Sequence, residues 1–519
     1  MTYRIGIDVG GTHTDGALLD ASLACIATVK VPTSADVMGG IRRALRSLLE
    51  RTDVAKRDIS LVMLGTTHCT NALVERRGLE RVGVLRLARP ASLAVPPLSG
   101  WPADLVRVLD AKVEIVHGGY EYDGRVLCEP DESEVRRIVR SWRGAVSSVA
   151  ICGMFAHVNP EQEQRVADWV RAELGPDIVL SLSNELGTLG LLERESATVL
   201  NASLITIARL IVEGLRTALT DCGLGHVRAL IGQNDGTLMS LPTAQSFPVL
   251  TMGCGPTNSL RGAAFLSGRR DGLVIDVGGT TTDIGVLANG FPRQSALAVE
   301  IGGVRTNFRM PDVLSIGIGG GTVVRADDHS VRLGPDSVGY RLNELAQSFG
   351  GETLTLTDVS IALGVAPKFA PLATQAPREL LQRAYAQMMR QVEEGIDRMK
   401  TRAEDLPVLL VGGGGVLLPD RIKGASEVIR PRHFDAANAI GVAIGGIGGE
   451  LDRVVQLPAQ DRQGILDQLL GETRRHAVAA GADPLTIEVI ERDVIPLAYL
   501  PGNSARVRIK VAGQLRAAG

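Results

Sequence analysis

The stretch Asp8-Val9-Gly10-Gly11-Thr12-His13-Thr14-Asp15 occurs a second time in the chain, as Asp276-Val277-Gly278-Gly279-Thr280-Thr281-Thr282-Asp283. Over the twelve positions starting at Asp8 and at Asp276, eight residues are identical. Each copy follows one short apolar run and precedes another, which reads as strand, tight glycine turn, strand. Paired glycines let a backbone come close to a ligand, and their N–H groups suit phosphate oxygens. The threonine hydroxyls add donors, and the flanking carboxylates can hold a hard cation on those phosphates. One copy alone would be an ordinary turn. Two copies predict duplicated domains facing each other across a cleft.

Composition narrows the class. A chain of 519 residues exceeds a single core, so two to four domains are expected. A net charge of −3 offers no surface for nucleic acid or acidic lipid, and 3% aromatics offers no base-stacking platform. The six cysteines form no CxxC pair, which suits reduced buried thiols. The start runs straight into a strand with no signal peptide, and no apolar run approaches the roughly 20 residues of a membrane span. A soluble cytoplasmic protein is expected.

In chain order, a helix is expected from about Ala35 to Glu50. The strand Leu61–Leu64 leads into Gly65-Thr66-Thr67-His68-Cys69-Thr70-Asn71 and a helix. That junction reads equally as a site for an anionic or carbonyl ligand and as an ordinary N-cap. His68 reads first as structural. Residues 88–124, rich in proline and glycine, read as a loop-rich insertion. Alternating strands and helices follow to Leu182, which argues for an α/β domain. Gly187 to Glu195 reads as a crossover and Ser196 to Thr220 as a long helix. The triple glycine Gly319 to Gly321 reads as ligand lining or as a tight turn. Val408–Val411 runs into Gly412-Gly413-Gly414-Gly415, which suits close passage over a base or sugar. Asn438 to Gly445 is a helix of small residues suited to a hinge. After Asp452 come a helix (463–481) and strands at Thr486–Ile490 and Arg506–Val511, joined by a loop from Pro496 to Asn503.

This order of motifs resembles the actin, Hsp70 and sugar-kinase superfamily, and more closely the hydantoinase A and 5-oxoprolinase family. Asp8 to Asp15, Gly65 to Gly78, Asp276 to Asp283, Leu333 to Ser337 and Thr355 to Asp358 carry the likeness. It spans about residues 3–450. His13 stands where that family usually has phenylalanine. The resemblance implies an α/β fold with two ribonuclease-H-like (actin-like ATPase) domains around a nucleotide cleft, plus a small C-terminal α+β appendage. The expected domains are 1–195, 196–450 and 451–519.

The resemblance also implies ATP and Mg²⁺ as cofactors. Asp8 and Asp276 would hold Mg²⁺. Gly10, Gly11, Thr12, Thr14, Gly278, Gly279, Thr280 and Thr282 would cradle the phosphates, and Gly412, Gly413, Gly414 and Gly415 the nucleoside. Thr67 and Asn71, with Thr66, are the candidates on the substrate side. Asp15 and Asp283 read as orienting groups or as hairpin-closing residues. The implied activity is ATP-dependent phosphorylation of an amide or ketone carbonyl, foremost ring-opening hydrolysis of a hydantoin, lactam or cyclic imide. A second enzyme subunit is implied as partner. A small-molecule kinase and an ATP-driven reactivator are the alternatives.

Overall fold

The computed structural model describes every residue except 1, 33–36, 188, 296–298, 308–309, 328–329, 499–502 and 517–519. Both copies of the repeat are hairpins. Tyr3–Val9 pairs antiparallel with His13–Leu19, and Gly272–Val277 with Thr282–Ala288. Their registers coincide, with Asp8 opposite Asp15 and Asp276 opposite Asp283.

The repetition extends past the hairpins. Each second strand pairs antiparallel with a third, Cys25–Pro32 or Val313–Ile316. Each first strand pairs parallel with a fourth, Ile59–Thr66 or Leu406–Val411. The fourth then pairs parallel with a fifth, Arg228–Gly232 or Ala425–Ile429. One five-strand order is therefore built twice. Its central strands carry unbroken apolar runs, as strands covered on both faces must. Ile5, Ile7, Val62 and Leu64 sit in one core, and Leu273, Ile275, Val408 and Leu410 in another.

The sheets divide the chain differently from an expected boundary at 195/196. Arg228–Gly232 and Thr237–Ser240 lie in the sheet of the first hairpin, and Thr237–Ser240 pairs parallel with Gly446–Gln456. Ser504–Gly513 and Glu488–Pro496 follow, giving nine strands. The terminal α+β segment thus completes the first sheet. Leu469, Val507 and Ile509 share a buried cluster with Met63 and Leu230, which fixes it there. Residues 499–502 of the expected 496–503 loop lie outside the described residues, as do residues 35 and 36 of the first expected helix, which is described as Val37–Glu50.

The expected 88–124 insertion contributes the strand Lys112–His117 to a sheet whose other strands flank it. Lys112–His117, Val82–Arg89, Ser148–Gly153 and Val179–Leu182 form a four-stranded, wholly parallel sheet. It has its own core, with Leu85, Trp142, Val149 and Val166. The helix expected from Ser196 begins at Leu191 and runs to Asp221, so the last part of the expected crossover is helical. By length and composition it could cross a membrane, against expectation, yet 67% of its apolar window is buried inside the protein.

Two helices join the halves, Cys254–Ser267 and Ala437–Ala443. They touch backbone to backbone. A Cβ on Gly262 would lie 1.9 Å from the Ala437 carbonyl oxygen, and one on Gly441 1.8 Å from that of Asn258. Backbone cannot move aside as a flexible side chain can. Gly441→Ala is therefore expected to destabilise the protein by about 3 kcal/mol, read as a lowered urea midpoint.

Candidate functional site

Strand side chains alternate between faces, and residues opposed across an antiparallel pair share one. Asp8 and Asp15 therefore face one way, and Val9 and Thr14 the other; Asp276 and Asp283 repeat this. All four aspartates line a single cleft of about 470 Å³. The two turns close alike, with Gly10 N–H donating to the His13 carbonyl (3.0 Å) and Gly278 N–H to that of Thr281 (2.9 Å). They also meet, since a Cβ on Gly279 would lie 2.9 Å from Thr12 Cγ2. Among the described residues, the N–H groups of Gly11 and Gly279 have no intramolecular acceptor.

Burial governs the electrostatics. Asp8 is 3% exposed and accepts from Asn258 Nδ2 (3.2 Å) and Asn438 Nδ2 (3.5 Å). Burial nonetheless pushes its carboxyl up to about 7, helped by the nearby Asp15 and Asp276. Asp276 accepts from the Ser259 hydroxyl, which also lies 2.6 Å from Asn438 Oδ1, and burial raises it too. Asp15 is raised by burial despite Lys30 Nζ at 2.5 Å. Asp283 is pushed up to about 6, again mainly by burial. Four carboxylates and one ammonium line this cleft, leaving it a surplus of acidic groups. Among the described residues no three His, Cys, Asp or Glu side chains converge as a complete metal site. A cation here would need outside oxygens, and Mg²⁺ is commonly held by one or two carboxylates plus phosphates.

The structure brings together most residues expected at the site. Asp8, Gly10, Gly11, Thr12, Thr67, Asp276, Gly278, Gly279, Thr280, Gly412, Gly413 and Gly414 all line this cleft. Gly412 has φ +82°, and a Cβ there would lie 2.1 Å from Asp276 Oδ1, so only glycine fits.

Five expected residues are elsewhere, among them Thr66, which is buried off the lining with its hydroxyl bonded to His68 Nδ1. Thr14 is fully buried on the opposite face of its strand, against Gly40 of the first helix. Thr282 is turned away in the same manner and donates to the Ile318 carbonyl at 2.7 Å. Gly415 is buried beside Phe434. Asn71 is exposed on the helix His68–Glu75 and off the lining, its Nδ2 3.4 Å from Thr67 Oγ1. His68 is structural, its Nδ1 bonded to the Thr66 hydroxyl and its basicity lowered by burial.

Other groups escaped the sequence. Lys30 lies opposite Asp15 in the strand register, which no local motif reveals. Asn258, Ser259 and Asn438 come from the two joining helices, where only the small-residue character was visible. Leu342, Phe369, Val416 and Leu417 add apolar lining to the cleft. Gly320 and Gly321 donate to the carbonyls of Gly278 (3.0 Å) and Gly279 (2.7 Å). The triple glycine therefore buttresses the second turn, and Gly320 lines the cleft as well.

Comparison with known proteins shows the family. Residues 4–174 match the hydantoinase/oxoprolinase N-terminal region and residues 194–406 the hydantoinase/oxoprolinase domain. The chain is 28% identical to the caprolactamase subunit alpha of Pseudomonas jessenii, over 70% of this chain and 54% of that protein. It is 26% identical to the acetophenone carboxylase gamma subunit of Aromatoleum aromaticum, over 69% and 53%. It thus spans about half the length of these relatives. The crystal structure of the P. jessenii ATP-dependent caprolactamase shares the fold, with a TM-score of 0.78 at 21% identity, over 99% of this chain and 88% of that one. With duplicated hairpins, a shared cleft and matches across most of its length, the chain belongs to the hydantoinase/oxoprolinase family.

Proposed function

We propose that this chain uses Mg-ATP to phosphorylate the carbonyl oxygen of an amide or ketone, foremost in a hydantoin, lactam or cyclic imide. The observation that carries this reading is the meeting of two glycine turns over the carboxylates of Asp8 and Asp276. Phosphoryl transfer asks a protein for positioning and charge neutralisation more than for covalent chemistry. Asp8 and Asp276 would hold Mg²⁺, directly or through water, and the bound cation would neutralise phosphate charge. Gly11, Thr12, Gly279 and Thr280 cradle the phosphates, and Lys30 adds a positive charge beside them. Gly412, Gly413 and Gly414 pass close to the nucleoside. Thr67 faces the substrate side of the cleft.

An amide carbonyl is a poor electrophile. Phosphorylation of its oxygen makes the carbon electrophilic, so water adds there. The C–N bond then breaks to open the ring as an amine and an acyl phosphate, and a second water releases orthophosphate and the carboxylate. The names of the caprolactamase and acetophenone carboxylase relatives favour a lactam or a ketone, and both are named as subunits. We therefore place this chain in a cytoplasmic hetero-oligomer.

The test is release of orthophosphate from Mg-ATP, with a panel of lactams, hydantoins, imides and ketones. Stimulation by one carbonyl class is the expected result. A stable phosphorylated product would instead identify a kinase, and turnover indifferent to the whole panel, with a partner subunit present, a nucleotide switch. Phe369 lines the same cleft half exposed, and we assign it to stacking on the base. Phe369→Ala is expected to weaken ATP binding roughly tenfold, the scale of one base–aromatic stack, as read by calorimetry.

A further inference from the structure

A second cleft, of about 650 Å³, opens at the other end of the two joining helices. Arg4 lines it, four residues before Asp8 on the same strand and so about 13 Å away. Arg261, Arg269 and Arg270 line it from the other half of the molecule, and Glu488 is the only carboxylate among its described lining residues. These arginines are incompletely satisfied. Arg269 is paired with Glu427 at 2.8 Å, and Arg270 donates to the Asn289 carbonyl at 3.1 Å. Arg261 donates to the Gly290 carbonyl at 3.2 Å and stacks 3.9 Å over the Phe291 ring, yet its buried Nε has no partner among the described residues. The side chain of Arg4 makes no hydrogen bond or ion pair among the described residues, and burial lowers its basicity. Phe265 presents an exposed apolar surface to the same space.

Guanidinium groups with unused donors suit the forked oxygens of carboxylate and phosphate. Adjoining aromatic rings suit an apolar body. We propose that this cleft binds a small organic anion, a carboxylate or phosphate monoester with an apolar portion, and that its occupancy is coupled to the aspartate-lined cleft.

The coupling has a physical route. Helix Cys254–Ser267 carries Asn258 and Ser259 against Asp8 and Asp276, and Arg261 and Phe265 into the second cleft. Helix Ala437–Ala443 carries Asn438 beside Asp8 and ends at Ile444, Gly445 and Gly446 in the second cleft. Their backbone contacts at Gly262 and Gly441 leave no compliant side chain between them, so a shift of one helix moves the other. Coupling of this kind is reciprocal.

The experiment titrates the whole chain with benzoate and with phenyl phosphate by calorimetry, with and without a non-hydrolysable ATP analogue. At least one probe is expected to saturate a single site. Arg4→Gln should weaken it about tenfold, the loss of one charge-assisted pair, and Arg270→Gln, at an exposed position, should weaken it to a lesser degree. The preferred probe identifies the headgroup. Probe and analogue should change each other's affinity by the same factor in the unsubstituted protein. Binding by neither probe, or binding unaltered in both variants, overturns the site. Binding that leaves analogue affinity unchanged overturns the coupling. The arm without nucleotide reads the site even if the chain proves not to bind ATP.

Discussion

Asp8→Asn and Asp276→Asn are each expected to lower Mg²⁺-dependent ATP turnover by roughly 100- to 1,000-fold, the cost of removing one preorganised electrostatic group from a phosphoryl-transfer site. Each substitution keeps the side-chain shape and removes the charge. The fold should survive, because a buried ionised carboxylate costs solvation that a neutral amide does not. Asp8 illustrates this, its carboxyl being pushed up to about 7 mainly by burial. A thermal midpoint within a few degrees of the parent's, beside lost turnover, would separate chemistry from unfolding. The double variant should be little worse than either single one, since groups that serve one cation act as a unit. Turnover unchanged in both single variants would remove the phosphate assignment at its root.

The second large effect lies far from that cleft. Arg86 and Glu195 are 0% and 3% exposed and form a bidentate pair, Nε to Oε2 at 2.6 Å and Nη2 to Oε1 at 2.7 Å. Arg86 also donates to the Val95 carbonyl at 2.5 Å. The pair ties the four-stranded parallel sheet to the helix Leu191–Asp221. Glu195→Ala leaves a guanidinium buried without its counter-charge and is expected to cost about 3–5 kcal/mol. Arg86→Met should cost a similar amount, leaving the carboxylate stranded. Joining Arg86→Met with Glu195→Leu should recover most of the loss, because two apolar chains of similar volume need no solvation. Urea midpoints for the parent, Arg86→Met, Glu195→Leu and the double variant read out the cycle, with Glu195→Ala measured beside them. A cost below about 1 kcal/mol for Glu195→Ala would show that water reaches the pair.

The sequence disclosed what local pairing determines. A Gly-Gly turn between apolar runs is a hairpin from its own residues, and writing it twice implies two facing halves. Asp8 and Asp276 were picked out on that ground. What depends on register was hidden. Thr14 and Thr282 looked equivalent to Thr12 and Thr280, but the pairing of Val9 with Thr14 turns them into the core. Lys30 reaches the cleft only because its strand sets it opposite Asp15. Asn71 was placed by its spacing from a strand end, whereas its helix carries it to the surface. Long-range pairing was hidden too. No local pattern tells that Thr237–Ser240 will lie beside Gly446–Gln456, or that Pro- and Gly-rich flanks enclose the strand Lys112–His117.

That pairing bears on the order in which the molecule can form. The second sheet, of six strands, draws on one continuous segment, from Gly272 to Ile429. The first sheet takes strands from both sides of it, from Tyr3 through Ser240 and again from Gly446 to Gly513. On the ribosome the second half has all its strands before the first does, reversing the usual N-to-C order of domain completion. Until the last strands emerge, Thr237–Ser240 is an uncovered edge open to mispairing. The half synthesised first is the last to close, and the high sequence separation of its final contacts makes that closing step slow.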